Sequence, residues 1–451
     1  MNRLAIIIYL FGTVFCCRAT GLSAQEKLTL EACREKAIQN NKELRISTAR
    51  QRIAADEQKR AFTKYFPEIS ATGAYLWNQK DLQLVDPAAL GAAATLLPNL
   101  ADIFHLDIRN IWIGGINLVQ PVFMGGQIVD ANRLAAYAKE LAAAQHDTQL
   151  QEVIYATDQA YWQVVSLVNK KKLADAYVQL LQKMQGDMDA MIAEGVATQA
   201  DGLSVRVKLN EAQTAQTKVE NGLSLSRMAL AQVCGMPLDT LFTLADEQLD
   251  SLPEANSPLF FPPGTFLNRP ELRSLELAAR IYKKKEDMEL GKLLPSVAFG
   301  ASYLITNPNL DNGYKTKFSG MFHLGVLLSV PLSGWWEGAY KRNAARAQTL
   351  IARLEYENAR DKIALQARQS SYQLEEAGKR LKAADRNMES AEENLQHAEA
   401  GFTEGVIPAL NLMEAQTAWV GASSERIDAQ IGLRLAKVYL AKAMGQLGVD
   451  K

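Results

Sequence analysis

The sequence predicts a mainly α-helical chain with a membrane β-barrel portion, built from two duplicated helix–strand–strand–helix halves. The first observation behind this is an internal repeat. Asn41-Lys42-Glu43-Leu44 returns as Arg269-Pro270-Glu271-Leu272, Phe66-Pro67-Glu68 as Leu294-Pro295-Ser296, and Ala74-Tyr75-Leu76 as Ser302-Tyr303-Leu304, all at an offset of 228. Val119-Gln120-Pro121 and Glu194-Gly195-Val196 return as Ser329-Val330-Pro331 and Glu404-Gly405-Val406 at an offset of 210. The change of 18 falls between Tyr75 and Pro121, so the halves differ mainly in one loop. The second observation is a pair of very long proline-free helical patterns, and the third is four strand-like segments at repeat-related places. A repeated half is a unit built to pack against copies of itself.

From the N-terminus, Arg3, the apolar run Leu4 to Phe15 and the small and polar residues up to Ser23-Ala24 read as a secretory signal over 1–24. Cys16-Cys17 raise lipid attachment instead, although Thr13-Val14-Phe15 fit a lipoprotein cleavage site poorly. Without residues 1–24 the chain carries 47 basic and 50 acidic side chains, a net charge of −3. That balance offers no global attraction to nucleic acid or anionic lipid. Two cysteines then remain, Cys33 and Cys234, which could pair but make no disulfide framework; they read most simply as buried small residues. No later segment has 18 uninterrupted apolar residues, so an exported chain of this kind is either soluble or crosses an outer membrane as strands.

The first repeat spans 25–234 and the second 270–451, with 235–269 between them. Each opens on a shorter helix, at about 29–64 and 270–292. In the strand at 67–78, Ile69, Ala71, Gly73, Tyr75 and Trp77 alternate with Glu68, Ser70, Thr72 and Ala74. In 295–306, Val297, Phe299, Ala301, Tyr303 and Ile305 alternate with Ser296, Ala298, Gly300 and Ser302. The returning strands, 109–120 and 317–330, set Trp112, Ile116 and Leu118 beside Phe322, Val326 and Leu328. One face is apolar and aromatic and the other small or polar, the pattern of outer-membrane barrel strands. The expected lipid-facing residues are Tyr75, Trp77, Trp112, Phe299, Tyr303 and Phe322. Four strands cannot close a barrel, and an open edge in hydrocarbon leaves backbone groups unpaired. The chain must borrow strands from its copies: two would supply eight and three would supply twelve.

Long helical patterns follow at 126–194 and 338–404, each roughly 100 Å at 1.5 Å per residue. In the second, Leu374, Leu381, Met388, Leu395 and Phe402 recur every seven residues with Ala377, Ala384, Ala391 and Ala398 interleaved, a coiled-coil seam. The first keeps a looser rhythm through Leu173, Tyr177, Leu180, Met184, Met188 and Met191. Each ends at a glycine suited to a left-handed cap, Gly195 and Gly405. A second helix returns at once, from Thr198 as N-cap in one half and with Pro408 in the first turn in the other. The result is a long hairpin in each half, 126–233 and 338–444. The stretch 235–269, bearing Pro237, Pro253, Pro258, Pro262 and Pro263, reads as an irregular link.

At this point the chain resembles the TolC family of outer-membrane efflux proteins over essentially all of its mature length. The resemblance rests on Leu28-Thr29-Leu30-Glu31-Ala32 with Ala37 and Asn40-Asn41, on Pro67 and Pro295 opening the outgoing strands, and on Gln120-Pro121-Val122-Phe123 with Gly125-Gly126. Phe402-Thr403-Glu404-Gly405 followed by Asn411-Leu412-Met413-Glu414-Ala415-Gln416 resembles the family's second hairpin tip. The resemblance implies a homotrimer in the outer membrane of a Gram-negative bacterium, with one shared 12-stranded barrel and a long periplasmic α-helical tunnel. It implies a periplasmic adaptor protein and an inner-membrane pump or ABC exporter as partners, docking at Gly195, Val196, Gly405 and Val406. Asp201 fills the family's aspartate place six residues after the first tip glycine, and Asn411 stands there in the second tip. Glu414 maps onto the acidic constriction position, so Asp201, Asn411 and Glu414 are the expected pore residues. Met191 before the first tip and Trp335-Trp336 after Pro331 depart from the family pattern.

Catalytic chemistry finds no footing. His105, His146, His323 and His397 are scattered without metal-ligand spacing, and His323 falls on the expected lumen face. Gly291-Lys292 is no phosphate loop, because Glu286 stands where glycine is required and Leu293 where serine or threonine is. No enzyme activity and no cofactor are therefore expected, and transport must be passive or powered by a partner. Two functions stay open on these residues: an exit duct for small molecules or secreted polypeptide, and a periplasmic or surface helical scaffold without channel activity.

Overall fold

The computed structural model describes residues 26–85, 89, 105–249, 262, 264–309 and 315–448. The expected signal and Cys16-Cys17 lie outside them, as does much of the link. In chain order the elements are β1 (Glu26–Leu28), α1 (Leu30–Asn40), α2 (Lys42–Thr63), β2 (Glu68–Trp77), β3 (Leu82–Gln83), β4 (His105–Leu106), β5 (Asn110–Met124), α3 (Gln127–Ala193) and α4 (Gln199–Val233). The second half adds β6 (Phe242–Leu244), a 3-10 turn (Thr265–Asn268), α5 (Pro270–Gly291), β7 (Ser296–Asn307), β8 (Ser319–Ser329), α6 (Gly334–Thr403) and α7 (Ala409–Ala443). The described residues form two compact units, one within Met1–Ala49, Ala144–Leu272 and Ala359–Lys451, the other within Arg50–Ala143 and Arg273–Asn358.

The second unit holds one four-stranded antiparallel sheet in the order β2-β5-β7-β8. The two halves meet at its centre, where β5 pairs β7. Ala71 lies opposite Ile116, Ile116 opposite Tyr303, and Tyr303 opposite Phe322, so the aromatic rows of all four strands share one face. A bulge between Pro121 and Phe123 interrupts the β5–β7 ladder. Helices brace the unit through specific contacts. Asn132 Nδ2 donates to the Ala61 carbonyl at 3.0 Å, and Lys284 pairs with Asp130 at 3.0 Å. Trp335 Nε1 donates to the Leu293 carbonyl at 3.0 Å, which gives that departing aromatic a place in the first turn of α6. α6 starts at Gly334, four residues before the expected 338.

The other unit is a helical core with a small parallel strand pair. β1 pairs β6 through Glu26↔Phe242 to Leu28↔Leu244, and Leu28, Phe242 and Leu244 are buried among Tyr161, Val164, Val165, Leu230 and Ile431. The link expected to be irregular thus contains a strand; at three residues it is too short to show an alternating pattern. The expected helix over 29–64 is two helices, divided at Asn41. Asn41 takes an extended ψ of 127°, its Oδ1 accepts from the Glu43 and Leu44 amides, and its Nδ2 donates to the Val233 carbonyl at 3.1 Å. The asparagine therefore caps α2 and ties the break to the end of α4. An ion pair between half-buried Arg34 and fully buried Asp158, at 2.6 Å, fastens α1 to α3, and Tyr161 donates to Asp246 at 2.6 Å.

Around the hairpin ends both halves share one core. Val178, Leu181, Met184 and Met188 of α3 and Val205 and Leu209 of α4 pack with Leu395 and Ala398 of α6 and Leu412 and Met413 of α7. The α6 seam is as expected, with Ala384, Ala391, Leu395 and Ala398 buried. The α3 seam is corrected by one residue. Val178 and Leu181 are buried where Leu180 was expected and is only half-buried, because a looser apolar pattern leaves two adjacent candidates per turn.

Candidate functional site: an open sheet and two hairpin tips

Each expected lipid-facing residue falls on the same face of the sheet. Tyr75 pairs with Trp112 across β2–β5, their ring centroids 4.6 Å apart, and Tyr75 Oη donates to Asn110 Oδ1 at 2.7 Å. Tyr303 pairs with Phe322, and Phe299 with Val326. Trp77 lies at the end of the same row. Among the described residues these groups are largely uncovered, with Trp77 67% exposed, Phe322 64% and Val326 71%, while Phe299 in the middle strand is half-buried. The opposite face carries Ser70, Thr72, Asn117, Ser302 and His323 together with aliphatics such as Ile113 and Leu327. Every residue of β2 is exposed, on both faces. A sheet of a water-soluble protein buries one face against a core. This one has an aromatic face and a more polar face, and among the described residues β2 and β8 leave two unpaired edges.

The tips are two copies of one backbone device. At the first, the Gly195 amide donates to Ile192 and the Val196 amide to Met191; at the second, Gly405 donates to Phe402 and Val406 to Gly401. These are the paired bonds of a Schellman cap, which needs a left-handed residue, and Gly195 and Gly405 have φ of 75° and 73°. Open space surrounds both glycines, and Val196 and Val406 beside them are exposed.

The helices leaving the tips differ. Thr198 and Asp201 form a full capping box at the start of α4: the Asp201 amide donates to Thr198 Oγ1, while Asp201 Oδ2 accepts from the Thr198 hydroxyl and amide. These bonds, the hydroxyl's first, hold the Asp201 carboxyl below the usual carboxylate range. Pro408 is the N-cap of α7 and not a first-turn residue, and no side chain caps that helix. Beyond it, Leu412, Met413, Ala415 and Gln416 are buried, while Asn411 and Glu414, three positions apart, share the exposed face. Among the described residues Glu414 has no ion-pair partner. Sequence reasoning missed a further set: Leu203, Val207, Leu350, Ile351, Leu354 and Leu410 are exposed apolar side chains on the long hairpins. They lie off the intrachain seams, so periodicity alone gave no reason to separate them from core positions. Among the described residues no cluster of three or more His, Cys, Asp or Glu is placed to hold a metal, and no helix is long and apolar enough to cross a membrane.

The family model described as outer membrane efflux protein matches residues 33–236 and 265–446. The chain belongs to the outer membrane efflux protein family. Its place is the outer membrane, with a large periplasmic part. The two matched segments leave out most of the link between the repeats. Solved structures of similar fold include the Campylobacter jejuni CmeC outer membrane channel, 16% identical with a TM-score of 0.79, covering 92% of this chain and 85% of that one. The Vibrio cholerae outer membrane protein VceC is 15% identical at a TM-score of 0.75, with coverage of 92% and 96%. The open state of the Neisseria gonorrhoeae MtrE outer membrane channel is 16% identical at 0.72, with coverage of 93% and 89%. A comparison with curated protein sequences found no match. The outer membrane efflux protein thus shares its helix-and-strand plan with channel proteins.

Proposed function

We propose that this protein is a passive, trimeric outer-membrane exit duct. It would carry small molecules or secreted polypeptide from a periplasmic adaptor and an inner-membrane pump or ABC exporter to the exterior, with no catalysis of its own. The observation that carries the reading is the four-stranded sheet with an aromatic face and, among the described residues, two open edges. Hydrocarbon tolerates no unpaired backbone edge, so the sheet must close on copies of itself. Strand direction favours this closure: β2 and β8 run oppositely in a fully antiparallel sheet, so β8 of one copy meets β2 of the next antiparallel as well. Three copies supply twelve strands, an even number within the range of bacterial barrels. Exposed Leu203, Val207, Leu350 and Leu354 offer the hairpins an apolar surface for the same assembly. The structural relatives described as channels support the transport role. The test is mass by light scattering in detergent followed by conductance in a planar bilayer. A trimer that opens an ion-conducting pore is expected, and a stable folded monomer would end the proposal.

A further inference from the structure

The predicted mature chain has two cysteines, and the fold brings them together from 201 positions apart. Cys33 lies in α1 and Cys234 is the C-cap of α4. Neither has any exposed surface, and both belong to the core that holds Leu28, Trp162, Leu230 and Phe242. Cys234 Sγ lies 3.6 Å from the Cys33 carbonyl oxygen. A hydrogen bond between the two side chains lowers the Cys234 thiol pKa against the burial that would raise it, and Lys36 acts in the same direction. Phe261 of the link and Met444 of the second repeat stand at the matching offsets, so the pair is not a by-product of the duplication.

We propose that Cys33 and Cys234 are joined by a disulfide in the exported protein. The bond needs two sulfurs brought close by packing; α1 and the end of α4 set the Cys234 sulfur 3.6 Å from the Cys33 backbone, with both thiols free and buried in the structure. It also needs an oxidising compartment, and both the periplasm and the cell surface are oxidising. The inference therefore rests on the export of the chain and not on channel activity. One cysteine thiolate attacks the disulfide of a thiol–disulfide oxidoreductase and forms a mixed disulfide. The second thiolate then displaces the enzyme's sulfur, which leaves as a dithiol. The two electrons and the two thiol protons end on the enzyme's sulfurs as its dithiol, so the exchange balances. Because both sulfurs are fully buried once α1 docks, the exchange precedes docking. The closed loop contains strands β2 to β5 and both hairpin helices, α3 and α4, of the first repeat, and a loop of that length strongly restricts the unfolded chain.

The full chain, exported and recovered from outer membranes, is dissolved in denaturant with N-ethylmaleimide, with or without prior reduction, then digested and mapped by mass spectrometry. Without reductant, neither cysteine should carry the label, and their two peptides should appear as one species lighter by two hydrogens than their sum. After reduction both should be labelled. Labelling of both without reductant, or linkage of either to another chain, would overturn the proposal. As a second readout, reductant should lower the unfolding temperature of the natural chain and leave the Cys33→Ala/Cys234→Ala variant unmoved. An equal response in the two proteins would overturn it as well.

Discussion

Ala301 and Ser302 are sequence neighbours in the middle of β7 that point to opposite faces. Ala301 pairs with Leu118 and Leu324, on the face with Phe299 and Tyr303; Ser302 pairs with Asn117 and His323. Placing arginine at each in turn holds depth, strand and charge constant and changes only the face. On a lipid face near the bilayer midplane arginine costs about 2–4 kcal/mol. In a three-copy barrel the substitution occurs three times, so Ala301→Arg costs roughly 6–12 kcal/mol per assembly. That rivals the whole stability of a typical folded protein, about 5–15 kcal/mol. Ser302→Arg keeps its charge hydrated in the lumen, should assemble normally, and should change conductance and ion preference. Outer-membrane fractions run on gels with and without boiling measure the trimer, and single-channel recordings measure the pore. Equal loss or equal tolerance of the two variants would refute the face assignment. Loss of Ser302→Arg alone would mean the faces are reversed, since a one-residue register slip exchanges every side chain.

The tips and the helical core give three further tests. Gly195→Trp and Gly405→Trp each force a bulky residue into a left-handed position at a cost of about 1–2 kcal/mol, small enough to leave the trimer intact; export measured by cargo accumulation should nevertheless fail, and survival of export in both variants would show that the tips are not the adaptor contact. Glu414→Ala should weaken cation preference and reduce block by multivalent cations, whereas an unaltered reversal potential in a salt gradient would place the constriction elsewhere. Arg34→Ala strands the buried Asp158 carboxylate and should cost about 3–5 kcal/mol near neutral pH by denaturant unfolding. Burial already pushes the Asp158 carboxyl up, with Arg34 pulling it back, so without Arg34 its folded pKa rises further above the unfolded value. A carboxyl of that kind stabilises the fold below the unfolded pKa and loses the benefit as pH rises through the folded one. The variant's deficit should therefore shrink on acidification, and a deficit independent of pH would show that the lost guanidinium mattered only for packing.

How far the molecule is legible from its residues depends on how local each feature is. Gly195 and Gly405 announced the tips because a left-handed cap is a single-residue requirement. Thr198 announced its helix start because a cap needs one oxygen at one place. The faces of the four strands were legible because side chains alternate with a period of two, and the register keeps Tyr75, Trp112, Tyr303 and Phe322 together. Asn41 was harder: asparagine in a polar helical stretch carries no breaking signal comparable to proline. Its break depends on the Val233 carbonyl, 192 positions away. The Leu180-to-Leu181 shift has the same origin, since the choice between adjacent leucines is made by whatever packs against them.

The residues alone settle the repeat, the strand faces and the tips, because periodicity, sterics and capping act within a few positions of the chain. Tertiary structure alone joins β5 to β7 and so merges two half-sheets into one. It alone pairs β1 with β6 across more than two hundred positions, and sets Cys33 against Cys234. Those pairings turn on which backbone edges and buried surfaces meet once the chain has collapsed, and no local pattern encodes a partner so distant.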